Sequence, residues 1–267
     1  NGRIKKGIEV APDWGDSRTR FWATPMPVWQ REENGEIVET LVISDRDELR
    51  ANSVQPITKL TLVRHADDNE APNNSEKLTS LGTKQAKAVA DRFKNISIDA
   101  ILSGSANRAV QTIEPLAKAL NKSVKIHDLF TVSDIKPTLL RLLDKYDAAS
   151  YSELPESELS EALSTIIAST RKELTKFLKE NQGKHIIAST HGENIAVIKH
   201  LTEGKKLTEV FSSKPKLSES VDLYFLGEEL LDLHRPKIDK VTLKGKTGEL
   251  TRVKEVLDVW MDSASMP

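Results

Sequence analysis

The stretch Leu60 to Ala66, LTLVRHA, constrains the middle of this chain more than any other. Leu60, Thr61, Leu62 and Val63 read as a short buried strand, and an Arg-His pair stands where that strand ends. Ligands of open α/β sheets gather at the carboxyl ends of strands. The pair therefore puts a cation and a titratable imidazole where a small anion binds. The same design recurs downstream. IDAIL at 98–102 and HIIAS at 185–189 are short apolar runs, each followed by a turn and a helical pattern. Strands alternating with helices predict an α/β fold of three layers, a mainly parallel sheet with helices on both faces.

The helices are legible by period. Thr79 begins TSLGTKQAKAVADRF, in which Leu81, Ala86, Val89 and Phe93 share a face. Asn107 to Leu120 and Lys136 to Asp144 read as helices, with a strand from Ser123 to Ile126 between them. Ser157 to Glu180 reads as one long amphipathic helix. Its buried stripe is Leu159, Leu163, Ile166, Ile167, Leu174, Phe177 and Leu178, and Gln182-Gly183 stops it. A further helix runs to Leu201, and Val221 to Leu226 is the last strand.

Composition narrows the function. The chain has no cysteine, which excludes disulfides and thiolate metal sites. A net charge of -1 gives no general argument for nucleic acid or a membrane surface. No apolar run approaches a membrane span, so no membrane partner and a cytoplasmic location are expected. The chain opens Asn1-Gly2-Arg3 without an initiator Met, and the expectation is a piece of a longer protein.

Three strand ends carry groups suited to phosphate. His65 follows the first strand, Arg108 follows the Ser103-Gly104-Ser105 turn, and His191 follows HIIAS. Arg108 and His191 also stand near helix starts, whose free N–H groups favour an anion. Arg64 and Arg108 offer forked donors for phosphoryl oxygens. A neutral His65 can attack phosphorus, and His191 can hold a non-bridging oxygen as charge develops. No metal is required.

With these residues in place, the segment resembles the histidine phosphatase superfamily, also called phosphoglycerate-mutase-like. LVRHA is similar to the RHG signature, with Ala66 in place of Gly, and LTSLGTKQA to the LTxxGxxQA block. ILSGSANRAVQT resembles the second-strand block, and STHGENIAVI the second-histidine block. The resemblance covers roughly Pro56 to Leu226. It implies that His65 is the nucleophile, that Arg64, Arg108 and His191 form the phosphate pocket, and that no cofactor takes part. The expected partner is a phosphorylated small molecule or a phosphoprotein. For the general acid that protonates the leaving group, Asp134 is the first candidate and Glu193 the second. His127, His185 and His200 match no block and are read as structural or surface histidines.

The ends of the chain belong to a different pattern. WGDSRTRFWATPMPVW resembles the W-x-x-SRxRFWGTPxPxW block of class I isoleucyl-tRNA synthetases. DLHRPKIDKVTL and RVKEVLDVWMDSASMP resemble that family's DLHRPxID and RRxxEVLDxWFDSGSMP blocks. Glu36 to Ile43 reads as a strand, Asp45 to Asn52 as a short helix, and Phe21 to Thr24 as extended. Val241 to Leu243 and Leu250 to Val253 are expected to pair as a hairpin. The implied organisation is a synthetase-like flank at 1–55, a phosphatase-like domain at 56–228 and a second flank at 229–267, the flanks forming one small stub. The resemblance implies ATP, magnesium, isoleucine and tRNA for the full-length parent only, since neither HIGH nor KMSKS occurs in this chain. Two readings of the insert stand open: a phosphatase with a phosphohistidine intermediate, or a non-catalytic binding or spacing module.

Overall fold

The structure, a computed structural model, describes residues 24–68, 77–131 and 135–257, and the backbone alone of 17–18. The chain divides into two compact units, Pro56–Leu231 and the paired ends Asn1–Gln55 with Asp232–Pro267. Elements of the central unit are numbered within it.

The central unit is built on a six-stranded sheet. Its strands are β1 Ile57–Arg64, β2 Ala100–Ser103, β3 Val124–Ile126, β4 His185–Thr190, β5 Ser220–Leu226 and β6 Glu229–Leu230, in the order β3-β2-β4-β1-β5-β6. The first four are mutually parallel, β5 runs antiparallel to β1, and β6 runs antiparallel to β5. The expected three-layer, mainly parallel architecture is thus present. The pairing of β6 with β5 keeps residues 229–231 with this unit, three residues beyond the expected boundary.

β1 is central and buried along nearly its whole length, as a strand covered on both faces must be. Alternation sorts its side chains. Leu60 and Leu62 join Ile186, Phe225, Leu174 and Phe177 on one face. Val63 joins Val89, Phe93, Ile113 and Ile187 on the other. Helices α1 Ser80–Phe93 and α2 Asn107–Ala119 cover that second face. On α1 the sequence stripe is partly wrong. Leu81 is 56% exposed, and Gly82 and Ala90 hold the buried positions beside Ala86, Val89 and Phe93.

The predicted long helix is two. α4 Glu156–Ala162 and α5 Ser164–Glu180 are separated at Leu163, which leaves helical geometry. Two cores explain the break. Leu159 and Leu163 pack into a helical cap with α3 Ile135–Tyr146 and α7 Leu207–Ser212. Leu174, Phe177 and Leu178 pack onto the sheet. One straight stripe cannot face both directions. Helix α6 Gly192–Glu203 lies between cap and sheet: Ala196 and Val197 join the cap core while Ile195 and Ile198 join the sheet core. Such a helix is apolar around most of its girth.

The unit formed by the ends is antiparallel. The strand Val28–Glu33 was not anticipated. It turns through Asn34 and Gly35, both at positive φ, into Glu36–Val42, and Asn-Gly is the pair that such tight hairpins select. Glu249–Arg252 joins the other side of Val28–Glu33, with Trp29 opposite Arg252. Leu243–Lys244 flanks it, so the predicted hairpin forms with its first strand starting two residues later than read and its second one residue earlier, Leu243 standing opposite Leu250. Val241 stays outside the ladder because its carbonyl accepts from Trp29 Nε1 at 2.7 Å. Asp45 caps the helix Arg46–Asn52, which starts one residue later than read. Ser17–Arg18 pairs with Val256–Leu257, so residues from both ends of the chain build this unit. Trp14 and Trp22 of the WGDSRTRFWATPMPVW block, residues 21–23 of the segment read as extended, and the WMDSASMP end lie outside the described residues. No described helix is long and apolar enough to cross a membrane.

Candidate active site

The site forms where β1 and β4 end side by side. Arg64 is the last residue of β1, opposite Thr190, the last of β4. The ladder continues one step, His65 N–H donating to Thr190 O at 2.8 Å, and His191 follows as the N-cap of α6. The two imidazole rings stand 4.9 Å apart between centroids. Arg108, in the first turn of α2, donates from Nε to His191 Nε2 at 2.8 Å. Arg64 sits over the start of α6, its Nε 3.2 Å from where a Cβ on Gly192 would be, and its Nη1 donates to Pro215 O at 2.9 Å. The fold therefore brings Arg64, His65, Arg108 and His191 together. Asp134 lies outside the described residues.

The hydrogen bonds fix both tautomers. A carbonyl only accepts, so His65 Nδ1 donates to Ala66 O at 2.9 Å and its neutral ring carries a lone pair on Nε2. A guanidinium only donates, so His191 accepts at Nε2 and its proton is on Nδ1. Among the described residues that Nδ1 has no partner, nor has Arg64 Nε, although both are buried. An unpaired buried donor costs on the order of 1–3 kcal/mol. The site thus holds one nucleophilic lone pair and two unsatisfied donors.

Both histidines are held neutral. Burial lowers the His65 pKa below its ordinary 6.5, with Arg108 and Arg64 adding to the effect, while the Ala66 carbonyl and Asp68 oppose it. Burial, then His65 and Arg108, push His191 down to about 3. The sign for stability follows. Above pH 6.5 folded and unfolded chains both carry neutral imidazoles, so nothing is lost. As pH falls from 6.5 toward 3, the unfolded chain takes up protons that the folded chain refuses, and stability drops. His191→Asn is expected to flatten that drop, with the wild-type and variant urea midpoints converging or crossing between pH 7 and pH 4. Parallel curves would contradict the assignment.

Ala66 brings no backbone strain of its own: it is fully buried and not among the described residues with positive φ. Its N–H donates to Thr112 Oγ1 at 2.8 Å, and that hydroxyl donates to Arg108 O at 2.6 Å. The LTSLGTKQA block holds the next residue. Asp67 N–H donates to Gln85 Oε1 at 2.8 Å, and Thr79 N–H donates to Asp67 O at 3.0 Å. A Cβ on Gly82 would fall 2.0 Å from Asp67 O, so only glycine allows α1 to approach this loop. Thr112, Thr79 and Gln85 were thus visible within the quoted blocks, though sequence alone gave them no role.

Glu193 does not suit the acid role. Burial pushes its carboxyl up, but Lys214, 2.7 Å away, outweighs this and holds it below the usual value. It is an ionised partner of Lys214, not a proton donor. Asp68 is the residue that the sequence reading passed over: buried, with Oδ2 3.2 Å from Arg108 Nη1. No motif signal marked it. His127, His185 and His200 lie in other contacts. His127 accepts from Leu129 N–H, and His185 bonds Ser97 O and Thr61. His200 donates to Lys205 O. Among the described residues no group of three or more His, Asp or Glu is arranged to hold a metal ion.

The family model of the histidine phosphatase superfamily (branch 1) matches residues 60–218, and that of class I tRNA synthetases (I, L, M and V) matches 1–80. The isoleucine–tRNA ligase of Haloarcula marismortui is 33% identical over 86 residues, 31% of this chain and 8% of the relative. That of Chlamydia trachomatis is 48% identical over 59 residues, 22% of this chain and 5% of the relative. The chain thus spans less than a tenth of the ligases it matches. Similar solved structures include a phosphoserine phosphatase from Entamoeba histolytica in complex with 3-phosphoglyceric acid, at 21% identity and TM-score 0.48, covering 62% of this chain and 90% of that one. A mycobacterial glucosyl-3-phosphoglycerate phosphatase matches at 15% identity and TM-score 0.46, covering 65% and 93%. The domain at residues 60–218 places this chain in the histidine phosphatase superfamily, branch 1, and its flank is similar to isoleucine–tRNA ligases.

Proposed function

We propose that the central unit hydrolyses a phosphorylated small molecule or phosphoprotein through a covalent intermediate on His65. One observation carries the reading: a neutral imidazole with Nε2 unprotonated lies 4.9 Å from a second whose Nδ1–H is buried and unpaired. A phosphoryl oxygen is the acceptor which that proton and Arg64 Nε lack. His65 Nε2 attacks phosphorus, and the P–N bond forms as the bond to the leaving group breaks. His191 Nδ1–H, Arg64 and Arg108 stabilise the oxygens as charge shifts. Water then cleaves the P–N bond and frees phosphate and the imidazole. The acid limb of the rate profile follows from His65. Activity is present above its lowered pKa and is lost as pH falls through it, so the fall in kcat/KM comes below pH 6.5. A limb centred above pH 6.5 would argue against His65.

The engagement of Glu193 by Lys214 favours a second reading, a non-catalytic binding or spacing module, because it removes one acid candidate. Fold alone does not supply chemistry. Turnover of p-nitrophenyl phosphate that depends on His65 separates the two readings.

For the longer protein, the flank similarity supports ligation of isoleucine to tRNA with ATP and magnesium, carried by parts beyond these residues. Isoleucine-dependent pyrophosphate exchange by the full-length gene product is the expected result, and its absence would count against the assignment.

A further inference from the structure

Asp68 takes part in none of the steps above, yet it occupies the phosphate pocket. Its carboxylate is 6% exposed and lies 3.2 Å from Arg108 Nη1, on the guanidinium whose Nε holds His191. Arg108 therefore already has an anion, supplied three residues after the nucleophile. Among the described residues, the charges around the two imidazoles are Arg64 and Arg108 on one side of the balance and Asp68 on the other. Glu193 and Lys214 cancel within their own pair. A pocket with two arginines thus presents a net charge of about one, and a half-buried charge of that kind acts strongly on a neighbouring anion. An incoming phosphoryl dianion meets Arg108 with two nitrogens engaged, Nε by His191 and Nη1 by Asp68, and meets Asp68 as a like charge.

Resting on the phosphate-pocket reading, we propose that Asp68 is a specificity-determining residue. It is an internal counter-anion that holds Arg108 when the site is empty and weakens the pocket's grip on free inorganic phosphate and other small dianions. The consequence for turnover is release of the product. Phosphate leaves as Asp68 takes back the Arg108 nitrogen, with no bond made or broken beyond hydrogen bonds.

The test is calorimetric titration of inorganic phosphate into the whole 267-residue chain at neutral pH and fixed ionic strength. Asp68→Asn is expected to bind phosphate about tenfold more tightly or better, since it removes one negative charge at nearly constant shape. The gain is expected to vanish when Arg108→Met is added, because the two residues act as a pair. A residue that merely braced the loop would lose affinity on substitution. If Asp68→Asn does not fold, as judged by circular dichroism, Asp68→Ser takes its place with the same expectation. Phosphate binding by wild type with no gain in a folded variant would overturn the role of Asp68 alone. No phosphate binding by either protein would overturn this proposal together with the phosphatase reading.

Discussion

His65→Ala is expected to lower hydrolysis of p-nitrophenyl phosphate by about a thousandfold or more, because loss of the nucleophile removes the covalent route. The fold should survive. Among the described residues the His65 side chain hydrogen-bonds its neighbour's carbonyl and stands beside the His191 ring, whereas its backbone N–H keeps the bond to Thr190 O whatever the side chain. The variant should therefore unfold within about 1–2 kcal/mol of wild type, the usual range for a substitution that opens no large core cavity. Equal rates for the two proteins would remove His65 from the chemistry. A collapse of both activity and stability would show that the residue is structural.

Gly82→Ala is expected to have the largest effect on stability, although it adds one methyl group far from the reacting atoms in sequence. The clash is with backbone: 2.0 Å to Asp67 O and 3.0 Å to its carbon, with no flexible side chain to yield. Either α1 or the loop after His65 must move. Overpacking against a fixed neighbour costs roughly 1–3 kcal/mol and occasionally more, so a loss near the upper end of that range is expected in urea unfolding. Activity should fall with it, since Thr79 and Gln85 hold Asp67 from the same helix. Gly204→Ala provides the contrast. That glycine has φ +68 but nothing within 4 Å of a Cβ, so its cost is conformational only, about 1 kcal/mol. Similar losses for both would show that the close approach at Gly82 does not matter.

The strand ends were legible because physics writes them locally. An apolar run that stops at Arg64-His65, and another that stops at Thr190-His191, need only the sheet to bring them together, and β1 and β4 are direct neighbours. The quoted blocks likewise contain Thr79, Gly82, Gln85 and Thr112, which support the nucleophile loop. What the sequence hid depends on distance along the chain. Asp68 gains meaning only from Arg108, forty residues on, and Lys214 only from Glu193. The break at Leu163 was hidden because the stripe continues through it; the change lies in which core the stripe faces. Val28–Glu33 was missed because its alternation is weak: Trp29 is its buried anchor, and its partners come from both ends of the chain.

The ends of the central unit suit insertion into a host. Ile57 pairs with Leu226 on one side of β5, and Leu231 N–H reaches Tyr224 O on the other. Strands are spaced about 4.8 Å apart, so entry and exit flank a single strand at the same end. A guest whose termini lie close together perturbs its host least.

Hydrolysis by this site requires a covalent bond from phosphorus to one imidazole. The intact chain should be mixed with radiolabelled acetyl phosphate or p-nitrophenyl phosphate, quenched in alkali and digested. The expected label survives base, is lost in acid, and maps by mass spectrometry to the peptide containing His65, with none on His191. Steady hydrolysis without any such label, or a label on another residue, would contradict it.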